Sequence, residues 1–356
     1  MEKAVYAFRL CGEPVKCTPF GHGHINSTFK IETDQGNEYV LQRINTYVFK
    51  DPVGLMNNAG AITDYIRERV SDPRLALHFL TTTDDKFYYE DEKGEFWRMY
   101  DFVGGFCLDT PEREEDFYQS ALAFGRFQQM LNEFPAETLA ETIPEFHNTI
   151  DRYRQFKESV AADRMGRLET CKADVEFLLA REEMGSRLQK LREAQVLPLR
   201  VTHNDTKLNN VLLDKVTRKS LCVLDLDTVM PGLSAYDFGD SIRFGAATAA
   251  EDERDTSKME MDLHLFEIYA RGFLEAATNL IAEELKALPM GAYTMTLECG
   301  TRFLKDYLDG DVYFSVKYPE HNLVRARTQI KLVADMETKM DEMNAIVARV
   351  AAELRK

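Results

Sequence analysis

The spacing of apolar residues changes period once along this chain. Through the first hundred residues apolar and polar positions alternate in short runs: CTPFGHGHINSTFKIET, a DQGN turn, EYVLQRI, then KFYYED, a KGE turn and FWRMYDFV. A period of two in runs this short predicts strands joined as hairpins. One helical segment interrupts them. Asp51 is placed to cap it, Pro52 fits a first turn where an N–H has no partner in any case, and Leu55, Ala59, Ile62 and Ile66 recur at helical spacing. Past Gly104-Gly105 the pattern lengthens, and residues 114–132, 150–195, 258–288 and 327–355 predict long helices rich in Glu, Lys, Arg, Leu and Ala. A strand pattern returns only at 220–227, in KSLCVLDLD. The predicted fold class is therefore α+β in two lobes: a small β-rich lobe over 1–103, a Gly-Gly hinge, and a large, mostly helical lobe over 104–356.

Composition narrows what such a chain can bind. With 44 Lys and Arg against 60 Asp and Glu, the 356 residues carry a formal charge of −16. That surface repels phosphate backbones and anionic lipid, which argues against nucleic acid and membrane as partners. No apolar run approaches the length of a membrane span, and MEKAVYAFRL has neither the basic start nor the apolar core of a signal peptide, so a cytoplasmic location is expected. The six cysteines show no CxxC spacing and are read as reduced, mostly structural thiols.

The chemistry concentrates in VTHNDTKLNNVLL, residues 201–213. His203-x-Asp205 with Asn210 five residues further on is the catalytic-loop pattern of protein-kinase-like phosphotransferases: the Asp orients the attacking hydroxyl and takes its proton, and the Asn holds a metal ion. Downstream, CVLDLDTVMPG read as a strand puts Asp225 and Asp227 on one face, a hard-oxygen site suited to Mg2+. Phosphoryl transfer needs such a cation because negative charge gathers on the γ-phosphate and the departing ADP. Asp227 is either a second metal ligand or a polar brace. Lys207 either reaches the γ-phosphate or is a solvated side chain. His203 is read as a ring that holds the loop, and Asp237, in AYDFGDSIRFG, as its fastener. Gly21 to Asn26, GHGHIN, lies between strands, where a loop can close over ATP phosphates through Gly21 and Gly23, or simply turn a hairpin. No GxxxxGK[ST] occurs, so a P-loop kinase is excluded by motif.

Together with the tail ECGTRFLKDYLDGDVYFSVKYPEHNLVRARTQIKLV, these motifs resemble the aminoglycoside/choline kinase-like phosphotransferase superfamily, and within it the bacterial N-acetylhexosamine 1-kinases. The resemblance runs from PFGHGHINSTF to the final helix. It implies a protein-kinase-like two-lobe fold and transfer of phosphate from ATP, with Mg2+, to the anomeric hydroxyl of N-acetylglucosamine or N-acetylgalactosamine. Carried over by residue, it implies Asp205 as catalytic acceptor, Asn210 and Asp225 as metal ligands, and His24, Asp205, Arg302 and Tyr313 around the sugar. A kinase of choline, homoserine or aminoglycosides is the alternative within the superfamily, and a ligand-binding pseudokinase the alternative outside catalysis. One position departs from the wider pattern: where a kinase strand carries an ATP-anchoring lysine, YVLQR offers the uncharged Gln42.

Overall fold

The computed structural model describes residues 2–21 and 26–355; Gly23 and His24 lie outside the described residues. In chain order the elements are α1 (Glu2–Tyr6), β1 (Pro14–Pro19), β2 (Ser27–Thr33), β3 (Glu38–Arg43), α2 (Pro52–Arg67), β4 (Tyr89–Glu90), β5 (Phe96–Asp101), α3 (Glu114–Met130), α4 (Thr149–Ala162), α5 (Lys172–Leu179), α6 (Glu182–Gly185), α7 (Arg187–Glu193), β6 (Arg200–Thr202), β7 (Val211–Leu213), β8 (Ser220–Val223), β9 (Met230–Gly232), α8 (Ser234–Gly245), α9 (Leu263–Ala276), α10 (Ala282–Asp309) and α11 (His321–Leu354). The chain divides into two compact units. The first holds Met1–Cys107, Met130–Pro144 and Asn210–Pro231; the second holds Leu108–Gln129, Glu145–Asn209 and Gly232–Lys356. The first stretch of unit 1 thus ends near the expected boundary at 103, while two later segments join it.

Unit 1 is built on a five-stranded antiparallel sheet in the order β1-β2-β3-β5-β4. Alternation gives each strand two faces. Ile31, Tyr39, Leu41, Trp97 and Met99 turn one way and pack with Leu80 and with Ala4, Val5 and Phe8 in and just beyond α1. Val40, Gln42, Arg98 and Tyr100 therefore turn the other way, where Arg98 reaches Met56 of α2. Helix α2 forms as its sequence predicts: the Asp51 side chain accepts the Gly54 N–H at 2.8 Å, Pro52 occupies the first turn, and Leu55, Ala59, Ile62 and Ile66 are buried. Buried Asn58 in the same helix donates to the carbonyls of Ala140 (2.8 Å) and Val229 (3.0 Å) and accepts from the Ala140 N–H (2.9 Å), stitching the two later segments of unit 1 to α2.

Unit 2 is helical. Leu188, Leu197, Leu233, Ala235, Tyr236, Ala287 and Met295 form one of its cores. Helices α8 and α10 approach closely: a Cβ on Gly239 would lie 2.3 Å from the Gly291 carbonyl carbon. The expected helix over 150–195 is four helices, because Asp163 takes a left-handed conformation (φ 35°) after α4 and irregular turns follow. The expected strand over 220–227 stops at Val223, and Leu226–Thr228 form a single 3-10 turn. Among the described residues no helix is long and apolar enough to cross a membrane.

Gly239→Ala is expected to lower the urea midpoint of unit 2, since overpacking a tight helix contact costs about 1–3 kcal/mol. Denaturation followed by circular dichroism checks this; an unchanged midpoint would show that the two helices can separate freely.

Candidate functional site

Residues 203–206 of unit 2 sit in irregular backbone that is largely buried, so each of their N–H groups needs a partner. Helix α8 supplies two carboxylates for the purpose. Asp237 accepts the N–H of His203 (2.9 Å) and of Asn204 (2.8 Å), while Gln128 of α3 donates to it at 2.8 Å. Asp240 accepts the Thr206 N–H at 3.0 Å. The Thr206 hydroxyl donates to the Asp237 carbonyl (2.6 Å), and its own carbonyl accepts from Ser241, whose hydroxyl is donated to by Tyr269. Burial raises the Asp237 pKa, opposed by the bonds from the loop. Burial also acts on Asp240, but Arg243 and Lys207 prevail and hold its pKa down. The His203 ring is fully buried and packed edge-on against Phe124 and Phe127, with centroids 5.4 and 6.0 Å away. The contacts of its ring are with these phenyl groups, while its backbone N–H is the group that Asp237 takes.

Asp205 projects from this fixed backbone with its side chain 28% exposed and pairs with Lys207 Nζ at 2.7 Å. Burial alone would depress the Lys207 pKa; the charges of Asp205 and Asp240 overcome it and raise it. Lys207 is therefore a charged partner of the acidic loop residue rather than a free surface lysine.

In unit 1, Asn210 and Asp225 are joined by a hairpin. Strands β7 and β8 pair with Val211 opposite Val223, and beyond the ladder the Leu224 N–H donates to the Asn210 carbonyl at 2.8 Å. The turn is closed by Asp214, which accepts from Val216 and Thr217 at 3.0 and 2.9 Å. Asp225 has left-handed backbone (φ 54°, ψ 61°), a conformation that Asp and Asn tolerate better than most residues. The same-face argument for Asp225 and Asp227 consequently fails: both lie beyond the strand, and it is the 3-10 turn that sets their directions. Asp227 is 2% exposed and its carboxylate is occupied on both sides, Oδ1 by buried Arg98 and Oδ2 by Asn26 Nδ2 at 2.7 Å. Asn26 Oδ1 in turn accepts the Asn45 N–H at 2.9 Å. The expected phosphate loop is thus described only at its ends: Gly21, with φ 79°, and Asn26. Among the described residues no three His, Cys, Asp or Glu side chains form a metal cluster.

The tail residues gather separately within unit 2. Arg302 on α10 lies 3.5 Å from the Tyr313 hydroxyl, and its guanidinium is 5.5 Å from the Phe146 and Phe314 rings and 5.7 Å from that of Tyr313. Buried Glu298, one helical turn earlier, sits 3.8 Å from Arg302 and 3.0 Å from His147 Nδ1. Burial works against its charge, yet His147, Arg152 and Arg302 hold its pKa below the usual range. Tyr313 is 68% exposed, but its backbone is fixed: Asp306 accepts the N–H groups of Val312, Tyr313 and Phe314 at 3.0, 2.9 and 2.9 Å and the Asn322 side chain at 2.9 Å. His147, Arg152 and Arg98 are the charged or titratable residues that motif reading passed over. None stands in a motif, and each is brought to its partner by long-range packing or cross-strand register.

A model of the phosphotransferase enzyme family matches residues 16–267. Solved structures share the fold over nearly the whole chain. A microcompartment-associated aminopropanol kinase is 15% identical at TM-score 0.62, covering 96% of this chain and 97% of its own. An amicoumacin kinase in complex with AMP-PNP and Ca2+ is 13% identical at TM-score 0.64, covering 93% and 91%. Choline kinase from Cryptosporidium parvum is 12% identical at TM-score 0.57, covering 94% and 92%.

Asp306→Ala is expected to speed amide exchange at Val312, Tyr313 and Phe314 by about tenfold or more, since a hydrogen bond to a charged acceptor contributes about 1.5–3 kcal/mol. Exchange measured by mass spectrometry on peptides covering this loop checks it, and unchanged protection would mean that other contacts fix the loop.

Proposed function

The chain belongs to the phosphotransferase enzyme family, and from that premise we propose that it phosphorylates the anomeric hydroxyl of N-acetylhexosamines with ATP. The observation that carries the phosphotransfer reading is the loop 203–206, whose backbone is pinned to Asp237 and Asp240 while Asp205 keeps a partly exposed, charged side chain beside Lys207. Asp205 orients the acceptor hydroxyl and takes its proton as the oxygen bonds to the γ-phosphorus and the bond to ADP breaks. Lys207, held positive, is suited to the charge that builds on the transferring phosphoryl group. Asn210 and Asp225 offer an amide and a carboxylate oxygen, a donor set that fits Mg2+ when nucleotide phosphates and water complete its shell. The ion supplies charge neutralisation at the β- and γ-phosphates. Asp227, occupied on both oxygens, serves as the brace of this turn.

For the acceptor, the environment of Arg302 supports a neutral hydroxylated ligand over a cationic one. The guanidinium already lies near the three aromatic rings that would otherwise attract a quaternary ammonium, and Arg152 adds a second positive charge around Glu298. Choline would meet repulsion there. A sugar bearing an acetamido carbonyl and hydroxyls would find a donor in Arg302 and a donor-acceptor in Tyr313.

ADP release measured across N-acetylglucosamine, N-acetylgalactosamine, unacetylated hexoses, choline and homoserine tests the acceptor, with the two N-acetylhexosamines expected to lead; faster turnover of choline or homoserine would overturn this choice. Asp205→Asn should keep acceptor and nucleotide binding while kcat falls by about 100-fold to 10,000-fold, the usual contribution of a general base. Near wild-type turnover in that variant would reduce Asp205 to a loop brace. Asp225→Ala should abolish turnover at any magnesium concentration, and undiminished activity in excess metal would remove Asp225 from the metal site.

A further inference from the structure

Gln42 and Arg98 are directly opposite each other in the β3–β5 ladder, on the sheet face that turns away from the α1 core. Their side chains are joined: Arg98 Nε donates to Gln42 Oε1 at 2.8 Å, and Gln42 Nε2 donates to Thr28 Oγ1 at 3.0 Å, Thr28 being the partner of Gln42 on β2. Arg98 Nη1 bonds Asp227 Oδ1, and Asn26 completes Asp227 from the other side. One chain of hydrogen bonds therefore runs from β2 through β3 and β5 to the 3-10 turn that begins at Asp225. Arg98 and Asp227 are each 2% exposed, so this is a buried ion pair. Removing one partner of such a pair leaves a charge uncompensated, whereas neutralising both is tolerated.

We propose that Arg98, across the ladder from the uncharged Gln42, works as a positioning residue. By clamping Asp227, Arg98 fixes the Leu226–Thr228 turn and with it the left-handed backbone that aims the Asp225 carboxylate. Gln42 has to be neutral, because a lysine there would place a second cation directly across the ladder from Arg98, and like charges so placed repel. Its amide instead orients the guanidinium, one end accepting from Arg98 and the other donating to Thr28. This inference rests on the reading that Asn210 and Asp225 hold a metal–nucleotide, but it adds Arg98, which no motif contains.

The test uses the full-length protein and a fluorescent ADP analogue titrated at a series of magnesium concentrations, a readout independent of the acceptor. Arg98→Gln combined with Asp227→Asn keeps the buried site neutral and filled. It should retain a cooperative thermal transition yet lose about tenfold or more in magnesium-dependent nucleotide affinity, a 1.4 kcal/mol change. Gln42→Lys alone should weaken metal-dependent binding, and adding Arg98→Gln to it should restore affinity beyond either single variant. If the neutral pair does not give a cooperative transition, Arg98→Lys carries the test: it keeps the charge, loses the geometry of two donors in a fixed fork, and should still weaken the magnesium dependence. Variants that melt earlier but bind the analogue within about twofold of wild type at every magnesium concentration would overturn the proposal, leaving Arg98 a stabilising residue only. Absence of any metal-dependent binding in the wild type would instead overturn the kinase reading beneath it.

Discussion

Irregular backbone that carries chemistry cannot be left with unbonded N–H groups when it is buried, and this protein meets that constraint with carboxylates. Asp237 and Asp240 accept from the loop bearing Asp205 and Asp306 accepts three successive N–H groups before and around Tyr313, while at an exposed turn Asp214 closes the hairpin joining Asn210 to Asp225. A carboxylate suits the task better than a neutral acceptor, because it can take several N–H groups at once through charge-assisted bonds. Each of these loops is thereby held by one or two carboxylates projecting from, or lying beside, a regular element. The functional side chains project from backbone that does not have to organise when a ligand arrives, which is the condition for precise positioning.

The same logic governs charge inside the β-sheet unit. A buried guanidinium is tolerated beside Asp227 because the pair is mutually compensating and Gln42, Asn26 and Thr28 extend the network on both sides. A buried pair of this kind contributes little net stability compared with apolar packing, so its presence calls for a role in specificity of structure. Here the pair touches the turn that follows the metal-ligand candidate Asp225, which is where such a role would act.

How much of this was legible in the sequence follows from how local each feature is. The fold class and the order of elements could be read because period and punctuation are local: α2 begins at Asp51-Pro52 as its capping signals predict, and the sheet strands follow the alternating runs. The candidate catalytic loop was singled out for the same reason, since His203, Asp205 and Asn210 fall within one short stretch. The strand over 220–227 was overextended because alternation continues through LDLD, while a left-handed φ at Asp225 breaks the strand without altering the pattern. Arg98 was invisible because its significance depends on lying opposite Gln42, 56 residues away across a strand pairing that spans α2, and His147 because its partner Glu298 is 151 residues away. The expected roles of Gly23 and His24 remain sequence expectations.

That division between local and distant has a functional counterpart. Residues proposed to move the phosphoryl group come from a short span of chain, 203–227, and are fixed by neighbouring turns and one helix. Residues around Arg302 come from far apart, with Phe146, His147 and Arg152 at one end of unit 2's sequence and Glu298, Tyr313 and Phe314 at the other. On the proposed reading, changing a side chain in the second group would alter the shape and charge offered to an acceptor while leaving the hydrogen bonds of the first group intact. Changing Asp237 or Asp240 strips partners from the loop that carries Asp205, whatever the acceptor. If the transfer and acceptor residues are divided as proposed, one acceptor could be exchanged for another without rebuilding the loop hydrogen bonds, and kinases named for different acceptors do share the fold at 12–15% identity.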